Sequence, residues 1–141
     1  MSNESVATDG KRVVVSYKSA EKSTLLTVVI PVYNESKTIL TVIDRVLSLD
    51  LDLDVIVVDD GSTDGTRELL ANFESDRVQV VLQEVNMGKG AAVRTGFSLA
   101  GGEIVTIQDA DLELNPLEIP ALSEPILEGS ADVVYGSRFM R

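Results

Sequence analysis

The 141-residue sequence predicts one α/β domain, a mostly parallel sheet with helices on both faces. Three observations carry that prediction. Five short apolar runs recur along the chain, at 25–33, 54–60, 78–84, 103–109 and 131–137. They are apolar throughout rather than alternating, as in strands covered on both faces. Between them lie segments of helical character, the crossovers that parallel strands require.

Residues 1–24 are polar and of mixed charge, with one β-like run at 13–17, and read as a mobile N-terminal tail ahead of a domain over 25–141. "LLTVVIPVY" at 25–33 is the first buried strand. Ile39, Val42, Ile43, Val46 and Leu47 then recur at helical spacing and predict an amphipathic helix over 36–48. "DVIVVDD" at 54–60 is the second strand, and Leu69, Leu70 and Phe73 give the apolar face of a helix over 63–73. "VQVVLQE" at 78–84 is the third strand; the helix over 89–99 is rich in small residues that allow close packing. "EIVTIQD" at 103–109 is the fourth strand. The last helix, over 115–127, opens on "NPLE". There Asn115 can cap, Pro116 takes the first helical position and Glu118 can close a capping box. Pro125 should kink or end that helix, and "ADVVYGS" at 131–137 is the fifth strand.

Composition narrows the chemistry. The chain has no cysteine and no histidine, which excludes disulfides, thiolate or imidazole ligands and a histidine base. Any metal must be a hard cation held by oxygen. No apolar run approaches the roughly 20 residues that cross a bilayer. The first two dozen residues are charged and hold no apolar signal core, so the expected location is cytoplasmic. A net charge of −11 argues against nucleic acid as a partner. Solubility accounts for that charge; a phosphate substrate carried by a metal, or adaptation to high salt, would account for it too.

In a parallel sheet, ligands bind beyond the carboxyl ends of the strands, where the winding reverses. All five expected strand ends carry polar or glycine-rich residues: "PVYNE", "DDGSTD", "NMGKG", "QDADLE" and "YGSR". Each has a structural reading of its own. Asp59, Asp60 and Gly61 fit a turn and cap, Gly88 and Gly90 lack the third glycine of a dinucleotide fingerprint, and Lys89 and Arg94 fit solvated helix charges. Asp109, Asp111 and Glu113 stand at alternate positions at a strand end, and such carboxylates need open water or a cation. The convergence of all five ends is the argument for a site.

In order and spacing, "VVIPVYNE", "VIVVDDGSTDGT", "NMGKGAAVRTGF", "IVTIQDADLELNP" and "DVVYGSRF" resemble the inverting glycosyltransferases of family 2. Those enzymes have the GT-A fold, with a Rossmann-like nucleotide-sugar-binding half. The likeness is greatest to the dolichyl-phosphate and polyprenyl-phosphate mannosyl- and glucosyltransferases. It implies metal-dependent, inverting transfer of a sugar from GDP-mannose or UDP-glucose to a polyprenyl or dolichyl phosphate, with Mg²⁺ or Mn²⁺ at a DxD motif. Carried over by position, Asp111 and Glu113 are the metal ligands, Asp109 lies nearer the ribose, and Asp111 and Arg138 are catalytic. Glu113 stands where many relatives have glutamine. Pro31, Tyr33, Glu35, Lys89 and Ala110 line the nucleotide pocket, Asp60 accepts from the base with Asp59 beside it, and Arg138 faces a phosphate. The family's catalytic domain continues past "GSRF". The resemblance therefore implies a donor-binding part, C-terminally truncated, whose full-length form meets lipid at the cytoplasmic face of the membrane.

A lipid phosphate is already an anion, so such an acceptor needs no strong base, which suits a chain without histidine. A sugar hydroxyl would need a base carboxylate, and no candidate stands out. Other readings are a nucleotide-sugar-binding domain without turnover and a family 2 enzyme with a hydroxyl acceptor. A signalling receiver domain needs an acid pair after its first strand and a lone aspartate after its third; here those ends are "PVYNE" and "NMGKG".

Overall fold

A computed structural model describes residues 2–3, 12–18 and 24–132. The expected fifth strand, apart from its first two residues, and Arg138 lie outside the described residues. The strands are β1 (Ser2–Asn3), β2 (Arg12–Lys18), β3 (Leu26–Val32), β4 (Leu53–Asp59), β5 (Val78–Gln83) and β6 (Ile104–Ile107). They form one sheet in the order β1-β2-β5-β4-β3-β6. β5, β4, β3 and β6 run parallel, with Val57 beside both Ile30 and Val80, and Val29 beside Ile107. β2 pairs antiparallel with β5, so the β-like run at 13–17, within the segment read as a tail, extends the sheet.

Three helices connect the parallel strands, α1 (Ile39–Leu47), α2 (Thr66–Ala71) and α3 (Lys89–Leu99), and α4 (Ile119–Leu127) follows β6. The apolar spacing of α1 buries Ile39, Val42, Ile43 and Val46 against one face of the sheet, with Leu70 of α2 and Ile119 of α4 in the same cluster. On the other face Ile56, Val58 and Val81 pack under Ala92 of α3. Both faces are covered, which explains why every residue of β3 is buried. From β3 the chain winds through β4 to β5, then α3 carries it back to β6 on the far side of β3. The winding reverses beside β3.

Several boundaries differ from the sequence expectation, among them the start of α1, which is Ile39 rather than Ser36. α2 is shorter than 63–73, because Gly65 at φ 101 precedes its first turn and Asp64 Oδ1 accepts from the Thr66 amide. β6 ends at Ile107, before the acid-rich segment. α4 follows a 3₁₀ turn (Pro116–Glu118), where Asn115 Oδ1 accepts from the Leu117 amide at 3.0 Å. That helix runs two residues past Pro125 instead of ending there. Pro125 falls in its last turn, and its carbonyl accepts from the Ser130 and Ala131 amides that close the helix. Among the described residues, no helix is long and apolar enough to cross a membrane.

Candidate functional site

A cavity of about 310 Å³ opens at the carboxyl ends of β3, β4 and β6, beside the start of α3. β3 and the loop after it contribute Pro31, Val32, Tyr33 and Glu35, and β4 is followed directly by Asp60. The approach to α3 gives Asn86, Gly88, Lys89 and Ala92, and the segment after β6 gives Asp109, Ala110 and Asp111. This is the reversal point of the winding, where an open parallel sheet takes its ligand.

Asp59 and Asp60 are neighbours with different tasks, since successive strand residues point to opposite faces. Asp59 is fully buried toward α2: its Oδ2 accepts from the Gly61 amide (3.2 Å), the Ser62 amide (3.1 Å) and the Arg67 guanidinium (3.4 Å). Its Oδ1 is buried without a partner among the described residues. Burial raises its pKa above the ordinary 3.8, against the opposing pull of Ser62, Arg67 and the Gly61 amide. Asp59 is not in the cavity wall. Asp60 is, and its two oxygens accept from the Met87 amide (2.7 Å) and the Gly88 amide (2.9 Å). Asp60 thereby fixes the turn that starts α3. A Cβ on Gly61, at φ 77, would meet the Asn86 nitrogen at 2.7 Å, so only glycine lets these two loops approach.

The acid-rich segment is dispersed. Lys89 Nζ meets Asp109 Oδ1 at 2.6 Å across the cavity. Asp111 Oδ1 accepts from the Glu113 amide at 3.0 Å, and Leu112 between them is left-handed at φ 67. Glu113 is outside the wall. Among the described residues, no group of three acids closes on one point. Buried Gln108 holds the segment from beneath, donating to the Leu114 carbonyl at 3.0 Å. Sequence reasoning did not name Val32, Asn86, Gly88 or Ala92 as pocket residues. "NMGKG" contained a signal for two of them, whereas Val32 and Ala92 have no polar group to betray them.

The model of the family described as glycosyl transferase family 2 matches residues 27–141. The chain belongs to that family. Among curated relatives, this family 2 chain is 41% identical over 112 residues to undecaprenyl-phosphate 4-deoxy-4-formamido-L-arabinose transferase of Aeromonas hydrophila, covering 74% of this chain and 34% of that one. It is 36% identical over 120 residues to glycosyltransferase GlyG of Streptococcus pneumoniae, covering 83% and 40%. The chain thus spans little more than a third of the curated relatives it matches.

Solved structures agree. The mannosyltransferase PcManGT of Pyrobaculum calidifontis, in complex with GDP-Man and Mn²⁺, matches with a TM-score of 0.57 and 36% identity over 64% of this chain and 28% of that one. Glucosyl-3-phosphoglycerate synthase of Mycobacterium tuberculosis, in complex with Mn²⁺, UDP and glucosyl-3-phosphoglycerate, matches with a TM-score of 0.61 and 33% identity over 74% and 40%. The parallel sheet and its helices have the GT-A architecture of these neighbours.

Proposed function

We propose that the cavity holds a nucleoside-diphosphate sugar with a divalent ion, and that this family 2 chain is the donor-binding part of an enzyme transferring the sugar, with inversion, to a polyprenyl phosphate. One observation carries the reading: the cavity at the reversal point has carboxylates on its β6 side and the start of α3, with Lys89, on the other. Helix starts and lysines favour phosphate, and carboxylates favour a hard cation. Relatives named for undecaprenyl phosphate, and neighbours named with GDP-Man or UDP and Mn²⁺, support the same classes of acceptor, donor and ion.

The wall suits Mg²⁺ or Mn²⁺. Its anionic groups are all carboxylates, and a hard ion commonly takes one or two of them and completes its shell with phosphate oxygens and water. Asp111 would hold it, with Glu113 reaching in from outside the wall. When bound, the ion supplies Lewis-acid stabilisation of the departing diphosphate. Pro31, Tyr33 and Glu35 face the nucleoside; Asp60 accepts from the base while holding the turn before α3, and Asp59 supports it from beneath. Asp109 and Ala110 meet the ribose, and Lys89 exchanges Asp109 for a phosphate oxygen. Arg138 clamps the acceptor phosphate with its planar fork. An oxygen of that phosphate bonds to the anomeric carbon as the bond to the diphosphate oxygen breaks, and no proton has to move. The lipid is met at the cytoplasmic face of the membrane by a longer chain of the length that the relatives have.

Calorimetric titration of GDP and UDP, in Mn²⁺ and in EDTA, tests this. One nucleotide should bind, and bind better with the ion. Equal affinity in EDTA sinks the metal assignment, and failure of both nucleotides sinks the donor assignment.

A further inference from the structure

Tyr33 and Glu35 reach the cavity on the loop after β3, where Asn34 is left-handed at φ 53 and Tyr33 is 47% exposed. Little of that loop is held by its own burial. It is held by the loop after β4 and the first residue of α2, through four hydrogen bonds. The Asn34 amide donates to Ser62 Oγ (2.9 Å), and the Thr63 amide donates to Asn34 Oδ1 (2.7 Å). The Glu35 amide donates to Thr66 Oγ1 (3.2 Å), and the Ser36 amide to Asp64 Oδ2 (3.1 Å). Asp64 ties these last two together, because its Oδ1 accepts from both the Thr66 amide (3.1 Å) and the Thr66 hydroxyl (2.6 Å).

We infer that Asp64 and Thr66 are positioning residues for the donor pocket, setting Tyr33 and Glu35 against the nucleotide without touching it. The inference rests on the donor-binding reading above. Neither residue lines the cavity. A residue that only started α2 would direct its carboxylate at that helix, yet one oxygen of Asp64 crosses to the Ser36 amide. Thr66 is fully buried, so its hydroxyl is fixed between Asp64 and the Glu35 amide. The Thr66 hydroxyl, above all, holds the Asp64 carboxyl down to about 2, so it is ionised and accepting throughout the neutral range.

The test compares Asp64→Asn, Thr66→Val and Thr66→Ser with the unaltered chain, reading nucleotide affinity in Mn²⁺, amide hydrogen exchange at residues 34–36 and Tm. Asparagine accepts through one oxygen instead of two, valine keeps the volume of threonine without its hydroxyl, and serine keeps the hydroxyl. Asp64→Asn and Thr66→Val should weaken GDP or UDP binding by about fivefold or more, the scale of one lost hydrogen bond, and speed exchange at Glu35 and Ser36. Thr66→Ser should stay within about twofold of the unaltered chain. Faster exchange with unchanged affinity overturns the inference, because the clamp would then be structural only. Should Thr66→Val fail to fold, the exposed Asp64→Asn change decides alone. An unaltered chain that binds neither nucleotide overturns the donor reading instead, a result distinct from equal binding by all chains.

Discussion

The two adjacent aspartates at the carboxyl end of β4, Asp59 within it and Asp60 just after it, show how one residue step changes the chemistry. Asp59 sits in a buried setting that favours the neutral form of its carboxyl, and its folded-state pKa is raised by burial. A raised acid pKa means that folding binds protons, so Asp59 burdens the fold increasingly as pH rises from 3.8 toward the raised value, and constantly above it. Asp59→Asn removes that charge and can keep one oxygen for the Gly61 and Ser62 amides. Its Tm relative to the unaltered chain should therefore climb as pH rises from about 3.8 and level off once the raised value is passed. A difference that stays flat would show that burial is not acting on Asp59. At the acid-rich segment, Asp111→Asn should weaken Mn²⁺-dependent nucleotide binding by tenfold or more, about 1.4 kcal/mol. Glu113→Gln should weaken it less, since Glu113 lies outside the wall. Titrations with the order reversed would move the ion to Glu113.

At the scale of elements, α3 seats on the sheet through Gly96, where a Cβ would collide with the Val29 side chain of β3. Gly96→Val should lift α3 from Ile56, Val58 and Val81 and cost about 1–3 kcal/mol, seen as a lower Tm. An unchanged Tm would mean that the helix can shift freely. The small residues of 89–99 announced this close packing in the sequence, just as continuous apolar runs announced the four parallel strands. The acid-rich segment was read less well. Its alternate spacing suggested one three-acid cluster, but period-two reasoning holds only within a strand, and β6 stops at Ile107. Beyond it, left-handed Leu112 turns Glu113 away while Lys89 takes Asp109. The partition of Asp59 from Asp60 was hidden as well. Both are acids at one strand end, and only the placing of α2 and α3 on opposite faces decides which of them meets the cavity. Asp64 meets the Thr66 amide within its own segment, whereas its bond to Ser36 joins loops 28 residues apart and exists only once β3 and β4 pair.

For the whole molecule, charge opposes the donor. Twelve basic residues face 23 acidic ones, and four of those acids, Glu35, Asp60, Asp109 and Asp111, line the cavity near where a diphosphate would sit. Among the described residues, Lys89 is the basic side chain in that wall, and it is already paired with Asp109. The proposed ion therefore does more than polarise a leaving group: it cancels charge that would otherwise keep the nucleotide out. A signature of this field is the sign of the salt dependence. A basic phosphate site loses affinity as salt rises, because screening weakens attraction. Here, in EDTA, screening should weaken repulsion instead. Affinity for the free nucleoside diphosphate should rise roughly twofold or more between about 0.1 M and 1 M NaCl, as the Debye length falls from roughly 10 Å to 3 Å. With Mn²⁺ present the nucleotide arrives largely neutralised, and the same change of salt should matter less. The measurement is the same calorimetric titration repeated across salt, with and without the ion. Affinity that falls with salt in EDTA would mean that Lys89 and the start of α3 govern the diphosphate by themselves, and that the acids in the wall leave the approach of the donor unopposed.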